Sequence, residues 1–587
     1  MEGGRDDYTE DGTVDLKGKP IRRSRTGRWR ACSFIVVYEI FERAAYWGIA
    51  SNLVMYLSTK LHQGTVTSSS NVTDWVGATW LTPIIGAYIA DAYLGRYWTF
   101  MIGSAIYLSG MSLLTLAVWI PQLQAPTCEP GSKEEQCNKQ TMPLQVGIFY
   151  GALYLIAVGN GGTKPNISTI GAEQFDEFDP KERIQKLSFF NWWMFSIFFG
   201  QLFAYTILVY VQDNVGWALG YGIPTIGLAI SILIFISGTP FYRHKAASGS
   251  PFTRILQVLV AALRKWNVAF PNDPKELHEL PVEEYTRRRK SRIEHTPFLR
   301  FLDKAAVKTD SNSPWLMCPV THVEETKQMI KMIPILITTF VPSMLVAQVN
   351  TLFVKQGATL DRSMGPNFKI PPASLGSFLI ISMLIGLVLY DRCFLPFVRR
   401  HTRNPRGITL LQRMGIGLGL QAAVMVIACF AEKKRLAVAK EKGIFGKGET
   451  VPLSIFILLP QFVLLGFADA FAEPPRMEFF YDQAPQGMKS LGTSYFTTSM
   501  GIGNFLNSFV LKVVASVTKM NGHQGWILDN LNRSRLDLYY LFLAILILVN
   551  FLIYLLAAKR FVYNADVSES DGDLVVEALP NRGRADG

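Results

Sequence analysis

Cys32-Ser33-Phe34-Ile35-Val36-Val37-Tyr38-Glu39-Ile40-Phe41-Glu42-Arg43-Ala44-Ala45-Tyr46-Trp47-Gly48-Ile49-Ala50-Ser51-Asn52-Leu53-Val54-Met55-Tyr56-Leu57 is apolar over a length that can cross a bilayer, yet it carries three ionisable side chains. Glu39 lies nine residues past Arg30, the last basic residue before the span. At the helical rise of ~1.5 Å per residue it sits roughly 14 Å into the membrane, near mid-depth. Charge at that depth costs ~2.5–3.5 kcal/mol per group on insertion scales, and it usually marks an ion or substrate path. The stretch therefore predicts a chain that moves something charged, or moves a solute with protons.

Eleven further apolar stretches of spanning length follow, at 74–94, 98–120, 144–165, 188–211, 215–238, 328–350, 373–397, 408–431, 452–472, 492–516 and 538–558. With a mean hydropathy of +0.19 over 587 residues, the expected fold class is an all-α membrane protein with twelve transmembrane helices. The first 30 residues are polar and basic, so no cleavable signal peptide is expected and both termini are expected in the cytosol. The net charge of +12 is not a nucleic-acid signal. Much of it falls on segments this topology makes cytosolic, such as Arg287–Lys290 and Arg399–Arg406, while the lysine-rich Glu432–Lys447 dissents. Cys128 and Cys137 share one outer loop and are candidates for a bridge. Asn71-Val72-Thr73 is a glycosylation sequon close to a span.

The longest polar gap divides the spans six and six. The expected organisation is a cytosolic tail (1–31), an N-terminal six-helix bundle (32–240), a flexible cytosolic linker with an amphipathic helix over Ser250–Trp266 on the inner membrane surface (241–326), a C-terminal six-helix bundle (327–560) and a second cytosolic tail (561–587). Ala90-Asp91…Gly95-Arg96 is echoed by Tyr390-Asp391-Arg392 at the matching inner turn. Two six-helix bundles with matched inner turns suggest the major-facilitator fold, with substrate held near mid-depth between halves that rock.

Glu39 and Arg43 share a helix face and can pair, and Glu42 lies close to that face. One arginine between two carboxylates leaves one carboxylate to exchange a proton; the alternative is a fixed charge lock. Lys164, in Gly161-Gly162-Thr163-Lys164-Pro165, pairs with that carboxylate, holds an anionic substrate group, or snorkels to the surface. Pro165 and the glycines there predict a broken helix. Asp469 is the clearest deep charge of the second half, a candidate for a substrate cation or for a helix–helix hydrogen bond. Glu473-Pro474-Pro475-Arg476 should kink its helix and can pair Glu473 with Arg476. Asp91 and Arg96 bracket an inner turn as a structural latch, and Tyr46 is the aromatic expected to face the cavity. No Walker-type run, no intramembrane histidine and no nucleophile–base spacing is present. No ATP engine, metal, cofactor or enzymatic activity is therefore expected.

Glu39–Arg43 with Ala44-Ala45-Tyr46-Trp47-Gly48 resembles the first signature of the proton-dependent oligopeptide transporters. Gly86–Thr99 and Ser188-Phe189-Phe190-Asn191-Trp192-Trp193 resemble their second and third signatures, though Phe198 replaces the asparagine that usually ends the third. Tyr8–Asp15, Asn404–Gly407 and Glu478–Pro485 resemble the plant branch, the nitrate transporter 1/peptide transporter family, and within it the stress-inducible peptide transporter three subgroup. The resemblance implies proton coupling by Glu39, Glu42, Arg43 and Lys164. It also implies binding of a peptide amino terminus by Asp469, where peptide carriers usually have glutamate. Thr99 matches a threonine whose phosphorylation by a regulatory kinase tunes a nitrate carrier. Val346 stands where that carrier has its nitrate-binding histidine.

The expected function is a proton-coupled symporter importing di- and tripeptides by alternating access. The alternatives are a proton-coupled carrier of nitrate, another organic anion or a hormone-like solute, and a transporter-like sensor. The expected partners are protons, the small-molecule substrate and the lipid bilayer. The plasma membrane is the expected location, with the vacuolar membrane as alternative.

Overall fold

The computed structural model describes residues 8–563 apart from position 10 and the stretches 125–141, 177, 246–248, 272, 274–275, 288–291, 310–312, 403–406 and 521–523. Cys128, Cys137, Arg288–Lys290, Arg403–Arg406 and nearly all of 561–587 thus lie outside the described residues. The first half contains α1 (Arg28–Ala50), α2 (Leu53–Thr59), α3 (Thr65–Ile89), α4 (Gly95–Trp119), α5 (Pro143–Ala172), α6 (Pro180–Phe203), α7 (Val209–Asn214) and α8 (Trp217–Ser237). The linker contributes α9 (Pro251–Arg264) and α10 (Val282–Arg287). The second half contains α11 (Val320–Lys331), α12 (Ile333–Thr338), α13 (Phe340–Val346), α14 (Leu352–Ala358), α15 (Gly376–Leu389), α16 (Leu395–Thr402), α17 (Leu410–Glu441), α18 (Leu459–Gln483), α19 (Lys489–Lys519) and α20 (Leu536–Arg560).

Among the described residues, nine helices are long and apolar enough to span a membrane, or ten if the pair Val320–Thr338 and Phe340–Ala358, bent by 45°, is one span. The first span is missing from that count because α1 carries Glu39, Glu42 and Arg43. Two others are fused, since Thr65–Trp119 runs on as 55 helical residues. A straight helix of that length would reach ~80 Å, more than twice a bilayer core. The run instead turns at Gly95, whose φ of 74° lies in the left-handed region that glycine tolerates. Dividing it there and adding α1 restores twelve passes.

The expected break at Pro165 is not found, and α5 is continuous over Pro143–Ala172. Pro165 cannot donate to the carbonyl of Gly161, four residues back. That carbonyl faces Gly86 of α3 so closely that a Cβ on Gly86 would fall 1.9 Å from it. A Cβ on Gly162 would fall 2.8 Å from the Cα of Gly103, so glycines on both sides let α3 and α4 press onto α5. The glycines here serve packing rather than breakage. α18 runs without interruption through Pro474 and Pro475. Pro474 leaves the carbonyl of Ala470 free, and Arg413 Nη2 donates to it at 2.8 Å.

The polar stretch after α8 is more ordered than its composition suggests. Val258, Ala261 and Ala262 of α9 join Leu302, Ala305, Ala306, Val320 and Val323 in a small core of its own. The tail before α1 is also docked. Val14 and His244 exchange backbone hydrogen bonds at 2.9 Å, and Arg23 pairs with Asp176 at 2.8 Å. Buried Arg243 holds Glu182 at 2.7 Å. The dissenting Glu432–Lys447 segment begins as a continuation of α17, with Glu432 and Arg435 forming a fully buried pair at 2.6 Å.

Polar contacts between the two halves gather at the end away from the linker. Asp529 accepts from the Thr65 amide at 2.7 Å, and Tyr205 donates to Asn350 at 2.9 Å. Arg362 pairs with Asp213 at 3.1 Å and Lys512 with Asp74 at 3.3 Å.

Candidate functional site

Arg43 sits between the two acids of its own helix. Its Nε lies 2.9 Å from Glu39 Oε1 and 2.6 Å from Glu42 Oε2, and all three residues are buried. Both carboxylates thus share one guanidinium, so a single cation faces two acids. Asn160 of α5, fully buried, donates to Glu42 Oε1 at 3.3 Å. On another side of α1, Gly200 lets α6 pack closely at this level, since a Cβ there would meet the Ile40 carbonyl at 2.5 Å.

Lys164 projects from α5 into the same region. Its ammonium is buried, with no hydrogen-bond acceptor among the described residues, so it does not snorkel. It lies 3.2 Å above the Trp80 ring centroid and 5.3 Å from that of Tyr46. A cation over an aromatic face gains roughly 0.5–2 kcal/mol. Tyr46 itself is buried, packed edge-on against Trp47 and stacked on Trp75.

In the second half, Gln421 Nε2 donates to Asp469 Oδ1 at 3.2 Å, and Asp469 is buried. One turn on, Glu473 pairs with Arg476, which also donates to Ser343 Oγ at 2.8 Å. The Arg476 guanidinium lies 4.8 Å from the Phe496 ring centroid. Phe496 in turn meets Trp80 edge to face, centroids 6.2 Å apart. The structure therefore brings Glu39, Glu42, Arg43, Tyr46 and Lys164 together in one half. Asp469 lies in the other half, and the Trp80–Phe496 pair connects the two groups.

Asp91 and Arg96 do meet, at 3.4 Å, but Arg96 is also paired with Glu173. The sequence reading missed Glu173, which lies just past the end of α5. Burial pushes its carboxyl up to about 7, against the lowering effect of Arg96 and Lys245. Thr99 is buried and donates to the Gly95 carbonyl at 2.9 Å, so a kinase cannot reach its hydroxyl in this packing. In the linker, His295, Asp303 and Glu324 bring ligand-type atoms within 4.8 Å of one another. Lys327 already supplies the cation there, 2.7 Å from both Asp303 and Glu324. Asn160, Gln421 and Phe496 were also missed. Nothing in their local sequence separates them from ordinary helix residues, because their partners come from other helices.

A membrane-spanning all-α chain with buried charge clusters on both sides of a central seam has the architecture of a solute transporter. Residues 97–527 match the POT family, and the chain belongs to that family. It is 62% identical to the NRT1/PTR FAMILY 5.2 protein of Arabidopsis thaliana over 96% of this chain and 97% of that one. It is 60% identical to NRT1/PTR FAMILY 5.3 of the same plant, over 96% of each. It is also 45% identical to NRT1/PTR FAMILY 8.1, over 96% of this chain and 99% of that one. This places it in the plant nitrate transporter 1/peptide transporter branch, a family of transporters rather than enzymes. Among solved structures it is similar to an auto-inhibited POT family peptide transporter, with TM-score 0.66, 20% identity and coverage of 91% and 98% of the two chains. A POT family transporter in complex with a thioalcohol-conjugated peptide gives TM-score 0.61 at 15% identity, covering 95% and 99%. These likenesses show a shared major-facilitator-type fold.

Proposed function

We propose that the chain is a proton-coupled symporter that imports di- and tripeptides by alternating access. The observation that carries this reading is Lys164: a buried ammonium with aromatic faces around it and no acceptor among the described residues, in the half that also holds the carboxylates sharing one arginine. Such a cation is placed to receive an incoming carboxylate, and proton uptake at Glu39 or Glu42 offsets the charge it brings. Asp469, across the seam, offers the complementary acid for a peptide amine. The two six-helix bundles rock about the site, both termini lie in the cytosol, and the contacts at the end away from the linker belong to a form closed on that side. The plasma membrane is the proposed location, and Thr99 is a phosphorylation site reached only when α4 loosens from α5.

A second reading, a carrier of nitrate or another organic anion, is favoured by the same lysine, since an anion alone satisfies it. A solved POT transporter has been captured with sulfate. Oocyte expression with acid outside separates the two. Inward current with labelled dipeptide uptake, lost in Asp469→Ala, supports peptide symport. Nitrate uptake without dipeptide uptake overturns it in favour of the anion carrier. Ligand binding without flux of either points to a sensor.

A further inference from the structure

Asp469, Glu473 and Arg476 stand at i, i+4 and i+7 and so share one face of α18. Other faces of the helix are taken up by close packing. Gly466 lies against Leu379 and Ser382 of α15, and a Cβ on Gly417 of α17 would fall 2.8 Å from that of Ala472. The charged face turns instead to α13 and α19. Arg476 Nη1 donates to Ser343 Oγ at 2.8 Å, its Nη2 lies 3.5 Å from Met500 Sδ, and its guanidinium lies 4.8 Å from the Phe496 centroid. Phe496 meets Trp80 across the seam, so one ring separates Arg476 from the first half and one separates Lys164 from the second.

The pair that Arg476 makes is incomplete. Its Nη2 donates to Glu473 Oε2, but Arg476 Nε and Glu473 Oε1 are both buried with no hydrogen-bond partner among the described residues. A carboxylate matched to a guanidinium takes two parallel N–H bonds. Glu473, tethered three residues away on the same helix, takes one. The two partners also differ in how firmly they are held. Arg476 is 2% exposed, whereas the Glu473 side chain keeps 14% of its surface open. A buried guanidinium is costly without an anion. Glu473 therefore satisfies the cation in the empty site and is the member of the pair able to leave.

We propose that Arg476 receives a second carboxylate of the solute, displacing Glu473, and that the solutes this serves are short peptides with an acidic side chain. The inference rests on the peptide-symport reading. There the peptide amine goes to Asp469 and its terminal carboxylate to Lys164, which leaves Arg476 for the carboxylate of a side chain. A solute carboxylate is free to turn and meets both Nε and Nη2, which the tethered Glu473 does not do. Glu473 swings away through its open side. A peptide with a neutral side chain leaves the Glu473–Arg476 pair in place. Arg476 is thus a residue that sets specificity, and Glu473 sets the threshold a side-chain anion must pass.

The test measures uptake of labelled alanyl-glutamate and alanyl-glutamine by the full chain in proteoliposomes with acid outside. The two dipeptides have the same shape and differ in one carboxylate. Arg476→Gln alone strands a buried acid and endangers folding, so the informative variant is Glu473→Gln/Arg476→Gln, which removes both charges together. In it the KM for alanyl-glutamate relative to alanyl-glutamine is expected to rise about tenfold, the size of one charged hydrogen bond. Glu473→Gln is expected to lower the same ratio, because no resident acid then competes. Arg476→Lys is expected to keep part of the preference. A structural pair would shift both KM values together, so an unchanged ratio in the double variant overturns the proposal. If alanyl-glutamine is still carried, the peptide reading survives that result. Uptake of neither dipeptide by the unaltered protein overturns both.

Discussion

Trp80 and Phe496 meet across the seam between the two halves, each under a cation: Lys164 lies over one ring and Arg476 over the other. Two positive charges are thus held on the outer faces of a single aromatic pair. The arrangement links the proton-coupling candidates of one half to the acid of the other through contacts that a rocking motion must break.

Removing the ring should be felt at the lysine. Trp80→Leu is expected to change apparent substrate affinity about fivefold, the size of one cation–π contact of ~1 kcal/mol, while Trp80→Phe retains most of the unaltered behaviour. Concentration dependence of uptake, with surface expression as control, measures it.

The shared arginine separates folding from coupling. Arg43→Gln leaves two buried carboxylates without their cation, a loss of about 3–5 kcal/mol, so low yield and a depressed melting temperature are expected. Glu42→Gln and Lys164→Ala should express well yet lose proton-driven accumulation. Counterflow of labelled substrate without a proton gradient shows whether the site still binds.

Asp469→Ala strips the acid that accepts from Gln421. If this acid holds a peptide amine, loss of a charged hydrogen bond worth ~1.5–3 kcal/mol raises the dipeptide KM about tenfold or more. Nitrate uptake, if any, should be unaffected, and competition between the two solutes reads the difference.

Close packing around α5 leaves no space for a methyl group. Gly86→Ala would drive a Cβ to 1.9 Å from the Gly161 carbonyl, and the backbone there cannot step aside cheaply. Destabilisation of about 1–3 kcal/mol is expected, visible as reduced monodisperse protein in detergent.

Glu173 gives a pH dependence whose sign follows from burial. Its carboxyl is pushed up to about 7 from an ordinary 4.5, with Asp11 adding to the rise while Arg96 and Lys245 oppose it. The fold therefore prefers the protonated acid. Its stabilisation is complete below about pH 4.5 and is lost as pH rises through about 7. Melting curves between pH 5 and 8 should show this loss, and Glu173→Gln should remove its share of it.

How much could be read from the chain alone differs by region. The charged cluster of α1 was legible because three ionisable residues inside one apolar run have few physical explanations. Lys164 and Asp469 stood out for the same reason. Trp80, Asn160 and Gln421 did not, since aromatic and amide residues are common in helices and only their neighbours on other helices give them a role. Pro165 misled because the rule that proline breaks helices takes no account of what packs against the freed carbonyl. Here the bare backbone of Gly86 does so. The linker misled in the opposite way: its charged composition hid a small core assembled from α9 and residues some forty positions further on.

The contacts that close the end away from the linker include Arg362 with Asp213 and Lys512 with Asp74, pairs whose side chains are partly open to water. Exposed pairs of this kind weaken as dissolved ions accumulate around them. The ionic strength of the fluid on that side therefore becomes a setting on the resting balance between the two forms. A dilute medium would hold the seam shut, and a saltier one would let it part before any solute arrives.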